Sequence, residues 1–309
     1  MKKMIAIFAV IMIFGFGAGV FASDLFTMDK SNLINDELVP LGSSAGIYDR
    51  FDMEAETDKI SASEERSGGL DLDESRVNQG VVAVKFDYNG ENKIKISIKM
   101  GEQQVYYNYL EKGEYEAFPL VFGNGTYEIA VLENTTGNSY RVLQRWNTKV
   151  GLEDENLPYL HSVQPIQWER SDNGSRIALE LTEGLKTDSE KFMAVYRYVV
   201  ENLRYDEKKI QGLDHTYVPN NIETMTTKSG ICYDYASLTA SMLRSIGIPT
   251  KLVKGYGEFQ PEVYHAWNEV LLDGQWILVD TSFDSQQLEN GKTVDVVKNL
   301  EDYHPVSVY

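Results

Sequence analysis

From about residue 80 the chain alternates between apolar and polar positions. In "KIKISIKM", Ile94, Ile96, Ile98 and Met100 face one way on an extended backbone, and Lys93, Lys95, Ser97 and Lys99 face the other. "VVAVKFDY" precedes this run, with Asn89-Gly90 between them as a hairpin signal. "QQVYYNYL", "EYEAFPLVF", "TYEIAVLE" and "SYRVLQRW" continue at strand length, separated by Gly and Asn. The pattern predicts a small all-β, sandwich-like domain over residues 80–150.

Beyond "GLEDENLP" the period lengthens. In "TDSEKFMAVYRYVVENLRYD", Phe192, Val195, Tyr196, Val199 and Leu203 recur at helical spacing, and Thr187 with Glu190 forms a capping-box pair. A second helix follows Gly230, with Tyr235, Leu238, Met242 and Ile246 on one face, and Gly247 and Pro249 stop it. Next come the strand "TKLVKGYG" and two strands within "YHAWNEVLLDGQWILVDTSFD", joined by the tight turn Asp273-Gly274.

The N-terminal part has no such order. Residues 54–74 hold eight acidic and two basic residues, a composition that buries too little apolar surface to offset its ordering entropy. Residues 23–79 are therefore expected to be an acidic flexible segment or linker. The first 22 residues read as a secretory signal peptide: Lys2 and Lys3, an apolar run, then Val20-Phe21-Ala22, with cleavage expected after Ala22. The competing reading is an uncleaved anchor. The formal charge of −18, or −20 without Lys2 and Lys3, disfavours nucleic acid and anionic lipid as partners. An exported, secreted chain with no membrane contact after signal cleavage is the expectation.

Cys232 is the only cysteine, so it cannot close an intrachain disulfide. It falls in the first turn of its helix, where the helix dipole favours thiolate. The Asp-Gly turn supplies what the thiol lacks. With Leu272 opposite Gln275, His265 lies opposite Ser282 and Asp280 opposite Trp267, so His265 and Asp280 share a face as diagonal neighbours. Singly, each residue has a plainer reading: an inert buried thiol, a core histidine, a strand end. Together they form a Cys-His-Asp set in which the imidazole activates the thiol and the carboxylate orients the imidazole. No cofactor is expected. A single Cys and no close pair of His argue against zinc, and no phosphate-binding glycine loop occurs.

At these residues the chain resembles the transglutaminase-like superfamily of papain-fold cysteine enzymes, in its exported bacterial form. The resemblance rests on "SGICYDYASLTASMLRSIGIP", "YHAWNEV" and "GQWILVDTSFD" in family order, with "VVENLRYD" upstream. It covers about residues 156–285 and implies an α+β fold: a papain-like transglutaminase core over residues 151–309, preceded by the small β domain. It also implies Cys232 as nucleophile, His265 as general base and acid, and Asp280 as orienting carboxylate. One departure stands out. Papain-like proteases carry a Gln six residues before the Cys, where this chain has Thr226, and no upstream Trp lies near. Tyr205 is the candidate oxyanion donor in their place, with a core tyrosine as its alternative role.

The resulting expectation is an exported enzyme performing acyl transfer or hydrolysis at amides through a thioester. Its substrate would be a peptide or protein, of the cell envelope or the medium. Crosslinking, hydrolysis and deamidation stay open. The alternative is a non-catalytic envelope- or protein-binding module on the same scaffold. Glycan removal ranks last, since it comes with zinc-binding Cys pairs in the related enzymes.

Overall fold

The computed structural model describes residues 27–28, 60–61, 69–214 and 216–309. The expected signal peptide and most of the acidic segment lie outside the described residues. Two short strands come from that region: β1 (Thr27–Met28) and β2 (Ile60–Ser61).

Two sheets make the N-terminal unit. β3 (Leu70–Asp73), β4 (Val81–Phe86) and β7 (Glu116–Pro119) form one, in the order β3-β4-β7. The other is β2-β9-β8-β5-β6, with β5 (Ile94–Met100), β6 (Gln103–Tyr109), β8 (Gly125–Thr136) and β9 (Ser139–Val150). Val82, Val84, Phe118 and Leu120 of one layer and Ile96, Ile98, Ile129 and Val131 of the other bury in a single cluster. Two packed β layers are thus present.

Two local expectations fail. Asn89-Gly90 makes no hairpin, because β4 pairs with β3 and β7 whereas β5 pairs with β6 and β8. Residues 87–93 instead cross from one sheet to the other. The expected linker also runs too far: "LDLD" at residues 70–73 is a strand. Leu70 and Leu72 pack on the core while Asp71 and Asp73 face out, and Asp71 accepts a 2.5 Å hydrogen bond from Tyr115. The local excess of acid hid a two-residue period.

The C-terminal unit is α+β. Its helices are α1 (Asn173–Thr182), α2 (Asp188–Asn202), α3 (Glu207–Gly212), α4 (Asn221–Thr227), α5 (Cys232–Ser245) and α6 (Thr281–Glu289). Its sheet runs β14-β13-β12-β16, with β12 (Thr250–Gly257), β13 (Gln260–Leu272), β14 (Gln275–Val279) and β16 (Tyr303–Val308). Short pieces β10 (Arg204–Tyr205) and β11 (Ser229–Gly230) pair in parallel, and β15 (Val294–Asp295) pairs with β1. The capping box at Thr187 and Glu190 starts α2 as its sequence demands.

The two units share a core. Tyr107 of β6 packs edge-on against Tyr309, and the sandwich cluster continues without a break through Ile231, Cys232, Ala236, Leu252 and Ala266. The start of α5 therefore rests on the sandwich. At its far end the buried Arg244 donates to the carbonyls of His161, Thr250 and Tyr309 at 2.7, 2.8 and 3.0 Å. Burial lowers its pKa to about 9, and the three carbonyls compensate for lost water.

Candidate active site

The β13–β14 hairpin has the expected register, from Leu272↔Gln275 to Asn268↔Val279. The ladder then ends, and the expected strand through Asp284 is replaced by a helix. Asp280 is the N-cap of α6 and accepts the Phe283 N–H at 3.0 Å. "DTSFD" satisfies the cap rule, with Asp at the N-cap and Asp284 in the first turn, and the cap prevails over continued pairing.

Leaving the ladder does not separate the pair. His265 Nε2 and Asp280 Oδ2 lie 2.6 Å apart, both buried. Oδ2 also accepts from the Tyr303 hydroxyl at 3.1 Å, and Oδ1 accepts from the Ser282 hydroxyl at 3.0 Å. With Nε2 committed to Asp280, the other ring nitrogen is left for the thiol. Cys232 is the first residue of α5, and its thiol is a hydrogen-bond and charge partner of His265.

Burial pulls the His265 pKa down, but Asp280 and then Cys232 more than offset it, and the value rises to about 10. Burial likewise works against the charge on Asp280, yet His265 and the Phe283 N–H hold its carboxyl below the usual range. Aromatic rings close off water. Phe259 stands edge-on to His265 at 5.4 Å, Trp267 stacks at 6.3 Å, and Tyr303 packs on both Phe259 and Trp267.

Four residues place the thiol against the imidazole. Asn268, fully buried on β13, donates through Nδ2 to Ala236 of α5 at 2.9 Å and to Lys251 of β12 at 3.0 Å, locking the histidine strand onto the cysteine helix. Asp234 caps α5: it accepts the Ile231 N–H at 2.9 Å, pairs with Lys209 at 2.9 Å and takes the Tyr217 hydroxyl. A Cβ at Gly230 would fall 2.6 Å from Asp234 Cβ, so the residue two before the cysteine must be small. Gly255 does the same beside His265: a Cβ there would meet the His304 carbonyl oxygen at 2.0 Å and push β16, with Tyr303, off Asp280.

The reading of the sequence missed this support, although an acid at the third helical position that reaches back to the N-cap amide, as Asp234 does to Ile231, is half of a capping box. It also missed Asp284, which accepts from Tyr196 at 2.7 Å and pairs with Lys298 at 2.5 Å. Burial, opposed by Lys298, moves Asp284 up to about 7. Tyr205 on β10 pairs with Gly230, and its ring lies 6.3 Å from that of Tyr235. Of the other histidines, His304 meets Glu258 on the surface, burial lowers the pKa of His161, and His215 is outside the described residues.

Tyr303→Phe keeps the ring contacts and removes one donor to a buried carboxylate. We expect a loss of about 2 kcal/mol in urea unfolding.

A buried imidazole between a helix-start thiol and a carboxylate defines a class of site, and the comparisons name the fold family that carries it here. Residues 175–281, which contain all three side chains, match the family model described as the transglutaminase-like superfamily. The chain therefore carries a transglutaminase-like core. Kyphoscoliosis peptidase of Homo sapiens is 31% identical over 116 residues, 34% of this chain and 17% of that protein. Cytokinesis protein 3 of Schizosaccharomyces pombe is 26% identical over 113 residues, 34% of this chain and 12% of that protein. The matched stretch is thus a small part of both relatives. Among solved structures, the periplasmic domain of TgpA from Pseudomonas aeruginosa is similar with a TM-score of 0.32 at 17% identity, over 66% of this chain and 72% of that one.

Proposed function

We propose that the protein is an exported cysteine enzyme acting on peptide or protein amides by acyl transfer or hydrolysis. The observation that carries this reading is the buried His265 held between Cys232 and Asp280. The Cys232 sulfur attacks the amide carbonyl. The Cys232 N–H, first in its helix and without an intrahelical acceptor, helps to hold the oxyanion. His265, as imidazolium, gives its proton to the departing nitrogen, and a thioester remains. Water or an amine then attacks the thioester while His265 takes up the proton. Asp280 keeps the ring in place and offsets its charge throughout.

Dimethylated casein serves as the test substrate, with ammonia release, incorporation of a fluorescent primary amine and new N-termini read in parallel. Deamidation, crosslinking and peptidase action each leave a different mark. Activity in any channel that disappears in Cys232→Ala supports the reading. Activity retained in Cys232→Ala refutes it.

Tyr205 is proposed as the second oxyanion donor, because β10 sets it beside Gly230, two residues before the thiol. Tyr205→Phe should lower kcat by about 10²-fold with little change in KM. An unchanged kcat assigns the ring to packing.

One observation favours a second reading, a binding module. Cys232 is only 5% exposed and belongs to the shared hydrophobic cluster, as an inert structural thiol would. Ligand binding that persists in Cys232→Ala, with no amide chemistry in wild type, would support it.

A further inference from the structure

Asp234 is the third residue of α5 and is fully buried. Its carboxylate turns back to accept the Ile231 N–H at 2.9 Å, beside the peptide that leads into Cys232. A carboxylate two residues from a thiol in one helical turn stands roughly 7 Å from it. In a buried first turn, that negative charge opposes a second one on the sulfur. The helix cap therefore works against the thiolate unless something offsets it.

Lys209 of α3 supplies the offset. Its ammonium lies 2.9 Å from Asp234 Oδ2, and its side chain is 17% exposed. Asp234 Oδ1 takes the Tyr217 hydroxyl, whose ionisation is pushed up by burial and then by Asp234, so it remains a donor. Lys209 also stands over the Tyr217 ring, 5.0 Å from its centroid. The Asp206 N–H donates to the Gly230 carbonyl at 2.9 Å, and the Asp206 carboxylate accepts the Lys209 N–H at 3.0 Å. The backbone two residues before Cys232 thus holds α3, and with it the ammonium, at the start of α5.

The N–H and the hydroxyl satisfy the hydrogen bonding of Asp234, and the lysine adds charge. The same arrangement recurs on α6. Asp284, fully buried four residues after Asp280, takes one lysine, Lys298, and one tyrosine, Tyr196. Both helices that begin at a member of the Cys-His-Asp set, or just after one, carry a buried acid matched by a lysine. Other titratable groups at this end of α5 are His265 with Asp280 behind it, Glu223 of α4, which acts on Tyr217, Tyr233 and Tyr235 of α5 itself, and Lys254 of β12, 4.8 Å over the Tyr233 ring.

We propose that Lys209 is a positioning residue of the Cys232 site: its ammonium cancels the charge of Asp234, so that the carboxylate capping α5 does not oppose the thiolate two residues before it. The proposal rests on the reading of Cys232 as a nucleophile activated by His265.

The test follows Cys232 alkylation by iodoacetamide in the whole protein and reads the pH at which reactivity is lost on the acid side. Lys209→Met leaves Asp234 without its cation and should move that limb up by about one pH unit. Asp234→Asn leaves Lys209 without its anion and should move it down. The double variant Lys209→Met with Asp234→Asn removes both charges and should return the limb to its wild-type position. Lys209→Arg, which keeps the charge, should stay there too. Loss of a purely structural contact would impair the single variants in the same sense, and the double variant would not recover. If Asp234→Asn fails to fold, the contrast between Lys209→Met and Lys209→Arg decides. A wild-type limb in Lys209→Met, or single variants shifted in the same direction, would overturn the proposal while leaving the Cys232 reading intact. Slow alkylation of wild type at every pH would overturn that reading and the proposal with it.

Discussion

Cys232→Ala is expected to lower amide turnover by about 10⁴- to 10⁶-fold, because no other group in the site can form the thioester. The residual rate would come from oxyanion stabilisation and binding alone. Stability should change far less. Ala is a good helix former at the first position of α5, and the substitution deletes a single buried atom, so a shift within about 2 kcal/mol is expected. Turnover by wild type and variant, with urea unfolding on the same samples, separates loss of chemistry from loss of fold. A variant that unfolds several kcal/mol more easily would show the thiol to be mainly a packing element.

Asp280→Ala should be the most damaging substitution to the fold. Asp280 is fully buried and ties together His265, Ser282, Tyr303 and the α6 N-terminus. Its removal leaves an imidazolium buried without its main counter-charge and removes a helix cap, at a cost of about 4 kcal/mol. The pH dependence follows from the two shifts. His265 is raised from 6.5 to about 10, so its contribution is complete below pH 6.5 and is lost as pH rises through about 10. Asp280 is depressed from 3.8, so its contribution is present above that value and is lost as pH falls through its lowered pKa. Wild-type stability should therefore fall on both sides. Asp280→Ala should be less stable in the middle range and flatter on the alkaline side. An alkaline limb as steep in the variant as in wild type would mean that Asp280 does not set the His265 charge.

The hairpin geometry was legible because Asp273-Gly274 fixes a register that cannot slip without turning His265 away from the core. The helix start at Cys232 was legible from Gly230, and its end from Gly247 and Pro249. Other elements follow from contacts distant in sequence. β4 and β5 separate into different sheets because partners from residues 70–73 and 116–119 claim β4, and no local turn rule registers that competition. Tyr303 reaches Asp280 only because β16 returns beside β12 across Gly255. Asn268 reads as one polar residue in a strand, yet its amide fastens that strand to α5. Tertiary position, rather than residue type, gives these side chains their part in the site.

The most direct test of the central claim needs no substrate: the rate of Cys232 alkylation by iodoacetamide across pH, in wild type and His265→Ala. A thiol coupled to a buried imidazolium should react rapidly from neutral into mildly acidic solution, and that low-pH reactivity should vanish in His265→Ala. A rate that is slow at every pH until the protein is unfolded, or one identical in the two proteins, would contradict a His265-activated Cys232.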